Sequence, residues 1–176
     1  VCQGHVDMNW CPGVDFSAGS LGMGLSFGIG CALAARLDGS QRRTFVMLGD
    51  GEIQEGSVWE AAMAATHHEL GNLKVLLDRN RIQNDDFCEE QMRMFDIPAK
   101  WKAFGWNVME IDGHDMEQIV DGINFLDTSN NGPSILIAHT VKGKGVSYME
   151  DNPSFHGAAP NEEEYLLAMK ELGAIE

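Results

Sequence analysis

Residues 44–51 read Thr-Phe-Val-Met-Leu-Gly-Asp-Gly, and this stretch limits the fold more than any other. A short, unbroken apolar run stops at an acid held between two glycines. Glycine tolerates turns barred to other residues and lets a ligand approach the backbone closely. A second apolar run, Leu73–Asp78, follows after one helix-length segment and ends in polar Asp78, Asn80 and Asn84. Continuous apolar runs suit strands covered on both faces. If the two strands lie side by side, Asp50 and Asn80 leave adjacent strand ends and can share one ion. Magnesium takes about six oxygens, few of them from protein and the rest from phosphate and water. A charged oxygen from Asp50, a neutral one from Asn80 and a backbone carbonyl just beyond would make a magnesium–diphosphate site with no P-loop lysine.

The rest of the chain supplies a matching frame. Leucine or isoleucine at 21, 25, 29, 33 and 37 marks a helix over residues 20–37. Glycines 19, 22, 24, 28 and 30 crowd its first half. Gly28 and Gly30 fit close packing; Gly19 to Gly24 fit either packing or a helix start whose bare amides face an anion. An alanine-rich helix is expected from Gly51 to about Leu70, with Glu52, Glu55 and Glu60 placed to suit its dipole. Residues 83–100 are acidic and read as a surface excursion, followed by a short helix through Trp101, Phe104 and Trp106. Asn107–Asp112 and Ser134–Ala138 are further strands. Between them runs a helix, Met116–Leu126, with Met116, Ile119, Val120 and Ile123 on its apolar face. Asn161–Leu172 closes the chain as an acidic amphipathic helix.

Strand alternating with helix at these spacings predicts an α/β fold, a parallel sheet with helices on both faces, in one domain over residues 1–176. Such sheets bind ligands beyond the carboxyl ends of their strands. Asp50, Asn80, Gly113-His114 and His139-Thr140 all fall there. The loop 139–160 runs Val-Lys-Gly-Lys-Gly from position 141, so Lys142 and Lys144 are candidate anion contacts. An isolated loop histidine such as His5 is by default a surface residue.

The net charge of −15 disfavours a nucleic-acid partner. No run approaches the roughly 20 apolar residues of a membrane span, and no signal-peptide pattern opens the chain, so a cytoplasmic protein is expected. Cys2, Cys11, Cys31 and Cys88 form no close pair, which signals neither a zinc knuckle nor a redox dithiol; a Cys2–Cys11 bridge stays open.

The unit strand, Gly49-Asp50-Gly51, helix, strand, Asn80 resembles the fingerprint of thiamine-diphosphate enzymes. Gly49-Asp-Gly-Glu-Ile-Gln-Glu-Gly-Ser-Val-Trp-Glu-Ala-Ala-Met-Ala-Ala-Thr-His-His68 looks more narrowly like transketolase, as do Gly4-His5, Pro12-Gly-Val-Asp15 and Gly19-Ser-Leu-Gly-Met-Gly24. Deoxyxylulose-phosphate synthase and dehydrogenase-type relatives share Gly-Asp-Gly; Glu52-Ile-Gln-Glu-Gly56 favours transketolase. The likeness covers almost the whole chain and fits best the amino-terminal subunit of transketolases made as two polypeptides.

The resemblance implies thiamine diphosphate with Mg2+, or another divalent cation such as Ca2+, as cofactor. It implies that Asp50, Asn80 and the Ile82 carbonyl hold the metal and that Gly51 contacts the diphosphate. Gly19 and Leu21 would lie near the aminopyrimidine, Glu55 at a dimer interface, and His156 near the diphosphate and the reacting sugar. His5 would face the donor ketose, and Lys142 is a weaker correspondence. Val6 stands where the family usually has proline. The implied reaction transfers a two-carbon ketol unit between sugar phosphates, within pentose-phosphate carbohydrate metabolism. Two further family histidines have no counterpart after Val1, so the expected chain is amino-terminally truncated. The pyrimidine-binding domain is likewise expected on a carboxy-terminal partner subunit, in a dimer or heterotetramer. The alternatives are a truncated, non-catalytic remnant or another thiamine-diphosphate enzyme.

Overall fold

The computed structural model describes residues 5–175. Val1, Gln3, Glu176, the Gly4 of the Gly4-His5 match and the Cys2 of the Cys2–Cys11 bridge lie outside the described residues.

Four strands, β1 (Thr44–Gly49), β2 (Leu73–Arg79), β3 (Asn107–Asp112) and β4 (Ser134–His139), form one parallel sheet in the order β1-β2-β4-β3. Central β2 buries Leu73, Val75 and Leu77, as an apolar strand between two neighbours should. Fully burying each such side chain contributes about 1.5–3 kcal/mol. Lys74 is buried there too, and its Nζ donates to the Ser129 carbonyl at 2.5 Å. Burial holds its ammonium below the ordinary lysine range, with Asp127 opposing the shift.

Helices α1 (Met23–Leu37), α2 (Gly56–His67) and α4 (Ile97–Ala103) cover one face, where Leu25, Val46, Ala62, Val75, Trp101 and Ile135 share a core. Helix α1 approaches β1 through Gly28: a Cβ there would stand 2.5 Å from Val46 Cγ2. The expected packing role of Gly30 is not borne out, because its side faces open space.

Helix α5 (Met116–Thr128) covers the other face over β3 and β4. Its buried stripe matches the expected one in part: Ile119 and Ile123 pack against the core as expected. Gly122 and Leu126 are buried, whereas Met116 and Val120 are exposed. Gly122 sets this rotation, since a Cβ there would meet Leu136 Cδ2 at 2.6 Å. Over β1 the same face stays open among the described residues, with Phe45 48% and Met47 70% exposed.

Residues 83–100 are more than a surface excursion. They include α3 (Cys88–Gln91) and bury Cys88, Met94 and Ile97 beneath their acids. The helix after them ends at Ala103, capped by Asp96 at its start, so Phe104 and Trp106 lie beyond it. The chain closes with α6 (Glu162–Glu171), whose capping box joins Asn161 and Glu164. Only Ala168 of this helix is buried. The loop before it is held down by the Tyr148 hydroxyl on the Glu164 carbonyl at 2.7 Å and by Ser147 on Glu171.

Candidate functional site

Strand register sets the rim on which the site is built. Gly49 pairs with Asp78, and Asp78 with Ala138, so Asp50, Asn80 and Thr140 leave the sheet side by side. Gly113 follows β3 at the same end.

Asp50 turns inward and is 3% exposed. Its Oδ2 accepts from the Arg81 amide at 2.6 Å, and its Oδ1 from the Cys88 thiol at 3.4 Å. Burial pushes the carboxyl above the usual carboxylate range, against the Arg81 amide, the Cys88 thiol, the Gly51 amide and Arg79. The Arg79 guanidinium lies 3.8 Å from Glu89, and among the described residues no cation forms an ion pair with Asp50. Cys88 is buried beside it, and that burial, followed by the Asp50 charge, pushes its thiol up to about 12.

The turn after β2 completes this group. Asn80 Oδ1 accepts from the Ile82 amide at 3.0 Å, while its Nδ2 donates to Asp78 Oδ2 at 3.0 Å. The Thr140 hydroxyl donates to the other Asp78 oxygen, which ties β4 to the same turn. Ile82 is buried, and Arg81 adopts a φ of +69° to bring its amide to Asp50. Gly51 has ordinary helical angles but no room, since a Cβ would stand 2.8 Å from Gln83 Cβ. Asp50, Gly51, Asn80 and Ile82, singled out in the sequence, thus gather around one turn.

Glu52 links this turn to the start of α1. Its two carboxylate oxygens accept from the Gly49 amide at 3.0 Å and the Gly22 amide at 2.9 Å. Gly22 sits at φ +78°, with Ser57 Oγ 2.5 Å from where its Cβ would be. The amide at the mouth of this helix is therefore engaged by Glu52, not bare. On the same segment the His5 ring lies against Gly19, at 3.5 Å from an added Cβ. Leu21 is 62% exposed, and exposed Glu55 packs its Cβ on Gly22.

Lys142 lines a cavity of about 460 Å3 together with Asp78, Asn80, Thr140 and Met47. His156, exposed after the short turn Pro153–Phe155, feels the Lys142 charge. Partial burial first, and that charge second, hold its imidazole below the ordinary histidine range. Lys144 turns away to Glu150 at 3.6 Å, so of the two loop lysines Lys142 is the one beside Asn80. A neighbouring cavity of about 630 Å3 holds Arg81, Glu110, His114, His139 and Lys144. There His114 Nε2 accepts from the Val141 amide at 2.8 Å, and His139 Nε2 lies 2.9 Å from Glu110.

Sequence reasoning missed the roles of Glu52, Gln83 and Cys88. Glu52 alone carried a signal, as an acid just past Gly-Asp-Gly. Cys88 and Gln83 meet Asp50 and Gly51 across more than thirty residues of chain.

The donors present fit a hard cation with a diphosphate. Among the described residues the buried Asp50 carboxylate has no ion-pair partner, and Gln83 Oε1 beside Gly51 is buried with no hydrogen bond. Among the described residues no three His, Cys, Asp or Glu side chains gather to bind a metal. A site with one carboxylate must draw on amide, carbonyl and phosphate oxygens, as magnesium sites do.

Fold and rim together define an α/β domain whose polar side chains gather at the carboxyl ends of its parallel strands, where sheets of this kind take their ligands. The chain belongs to the family described as transketolase, thiamine diphosphate binding domain, whose profile matches residues 1–175. It is 43% identical over 172 residues to an apulose-4-phosphate transketolase subunit from Phocaeicola vulgatus, covering 98% of this chain and 61% of that protein. The 6-deoxy-6-sulfo-D-fructose transketolase subunit SqwG of a Clostridium species is 38% identical over 168 residues, covering 96% and 61%. The chain therefore spans about three fifths of the length of these curated relatives. Among solved structures, the transketolase complex with sedoheptulose-7-phosphate from Pichia stipitis superposes with a TM-score of 0.88 at 30% identity, covering 97% of this chain and 27% of that one. No helix among the described residues is long and apolar enough to cross a membrane.

Proposed function

We propose that residues 1–176 form one domain of a transketolase-like enzyme, a cytoplasmic subunit that holds thiamine diphosphate through a divalent cation, magnesium by preference. The observation that carries this reading is the buried Asp50 carboxylate, bonded to the Arg81 amide in the turn between Asn80 and Ile82. A cation there would offset the desolvation of Asp50 and draw on the Asn80 carboxamide and Ile82 carbonyl. Gly51, whose missing side chain makes room for Gln83, would meet the diphosphate through its backbone. Lys142 and His156 stand on the β4 side for phosphate or sugar oxygens, and the low-set His156 imidazole is neutral near pH 7. Gly19 and Leu21 would meet the aminopyrimidine, His5 the donor ketose, and Glu55 a neighbouring subunit.

The cofactor supplies the carbanion chemistry of two-carbon ketol transfer between sugar phosphates, and the protein positions it. The longer relatives are themselves named as transketolase subunits, which supports a partner for this chain. That partner is here a carboxy-terminal, pyrimidine-binding subunit in a dimer or heterotetramer. Calorimetry with thiamine diphosphate and Mg2+, with and without that partner, tests the proposal. Binding is expected in the mixture and is expected to vanish in Asp50→Ala. Unchanged binding by Asp50→Ala, or none by the wild-type mixture, would refute it. Turnover of xylulose 5-phosphate with ribose 5-phosphate by the isolated chain would refute the need for a partner.

A further inference from the structure

We propose that Gln83 is a further contact of the cation–diphosphate group at Asp50 and Gly51, a residue deepening the reading above and resting on it. The backbone around Gln83 is pinned. The Ile82 amide donates to Asn80 Oδ1 at 3.0 Å, the Gln83 amide to the Asp86 carbonyl at 3.0 Å, and Ile82 bridges Phe87. From this fixed turn the side chain lies on Gly51. Its Cβ is 2.8 Å, and its Oε1 3.5 Å, from the point where a Gly51 Cβ would stand. The carboxamide is thus held against the residue that directly follows Asp50.

The polar side chains around it are matched. Glu52 takes two amides, Gln54 donates to the Met92 carbonyl at 3.0 Å, and Asn80 and Thr140 each donate to Asp78. Gln83 Oε1 alone in this group is shut from solvent with no hydrogen-bond partner among the described residues. An unmatched buried acceptor is a standing penalty that protein interiors rarely carry. Its position selects the partner. A hydrated divalent cation at Asp50 presents either the metal or the O–H of a bound water to that oxygen. A half-turn of the carboxamide would instead offer its N–H groups to a phosphate oxygen. Both belong to the same bound group, and the second is what a purely phosphate-facing role would look like.

The test compares wild type with Gln83→Met, close in length and apolar, in the complex with the partner subunit. Thiamine diphosphate affinity is measured by calorimetry at saturating Mg2+, and Tm without cofactor by calorimetric scan. We expect affinity to fall about three- to tenfold, in keeping with one lost hydrogen bond. Tm without cofactor should hold or rise, because the substitution removes an unmatched oxygen. Unchanged affinity in Gln83→Met, or a loss of affinity that merely tracks a loss of Tm, overturns the inference and leaves the cofactor reading standing. Absence of binding by wild type overturns both. Gln83→Glu separates the two contacts: affinity kept or raised marks the cation or its water, and affinity lost beyond that of Gln83→Met marks the diphosphate.

Discussion

Gly51→Ala probes whether this glycine is needed for its backbone or for its space. The Gly51 backbone, at φ −67° and ψ −36°, is one that alanine adopts freely. Any penalty must therefore come from contact. The new methyl would stand 2.8 Å from Gln83 Cβ and 3.7 Å from Gln83 Cα. Carbon atoms sit comfortably at about 3.5–4.0 Å, so the two turns must part by several tenths of an ångström or more. Overpacking of this kind costs about 1–3 kcal/mol. Replacing glycine at compatible angles returns about 0.4–1 kcal/mol by restricting the unfolded chain. The net expectation is a loss of about 1–2 kcal/mol, which for a chain of this size lowers Tm by roughly 2–8 °C. Because the clash is with Cβ, Gln83→Ala should not relieve it, whereas Gln83→Gly should. Urea denaturation of the single and double variants measures this as a coupling energy of about 1–2 kcal/mol for the Gly51→Ala, Gln83→Gly pair. Wild-type stability in Gly51→Ala, or equal rescue by Gln83→Ala and Gln83→Gly, would refute the steric reasoning.

Gly71→Ala should be far harsher, since the added Cβ would lie 2.1 Å from the Asn130 carbonyl oxygen, backbone against backbone. A loss above about 3 kcal/mol in urea denaturation is expected, and a loss below about 1 kcal/mol would contradict that packing. Cys88, buried with its thiol pushed up to about 12, should alkylate at pH 8 at least about 100-fold more slowly than half-buried Cys31. Peptide mapping by mass spectrometry reads the two rates, and similar rates would argue against the Cys88–Asp50 contact. Glu171 accepts from the Ser147 hydroxyl at 2.6 Å and amide at 2.7 Å, and these bonds hold its carboxyl below the usual glutamate range. Its contribution is complete above the unfolded-state value and is lost as pH falls through the lowered folded-state value. Exchange of the Ser147 amide, corrected for intrinsic rate, should rise over that acid window in wild type and be pH-independent in Glu171→Gln. The same profile in both would show that the Glu171 charge does not hold this loop.

The sheet was legible because its strands are short, mainly apolar runs ended by Gly-Asp, Asp-Arg-Asn, Asp-Gly or His-Thr. The pairing of Asp50 with the Asn80 turn was legible because one helix separates them, which returns both to one rim. Strand order was not, because nothing local says that β4 inserts between β2 and β3. The face of α5 was legible only in part, through Ile119 and Ile123, for a related reason. Met116 and Val120 continue an apolar spacing, but Gly122 lets the helix settle on Leu136 and turns them outward. Lys74 hides in an apolar strand because a single carbonyl beyond the strand start, that of Ser129, receives its ammonium. Gln83 and Cys88 gain their meaning from contacts that no window of sequence contains.

The open face of β1 bears on how the isolated chain behaves in a test tube. Phe45 and Met47 stand in water on an edge strand whose outer backbone groups have no neighbouring strand among the described residues. Edges of that kind template pairing between molecules. The chain studied by itself should therefore show concentration-dependent turbidity and bind apolar dyes while still folded. Charge adds a second lever: at −15 the molecules repel one another at low salt, and screening by salt weakens that protection. Colloidal stability, more than folding stability, then sets the conditions under which this domain can be handled.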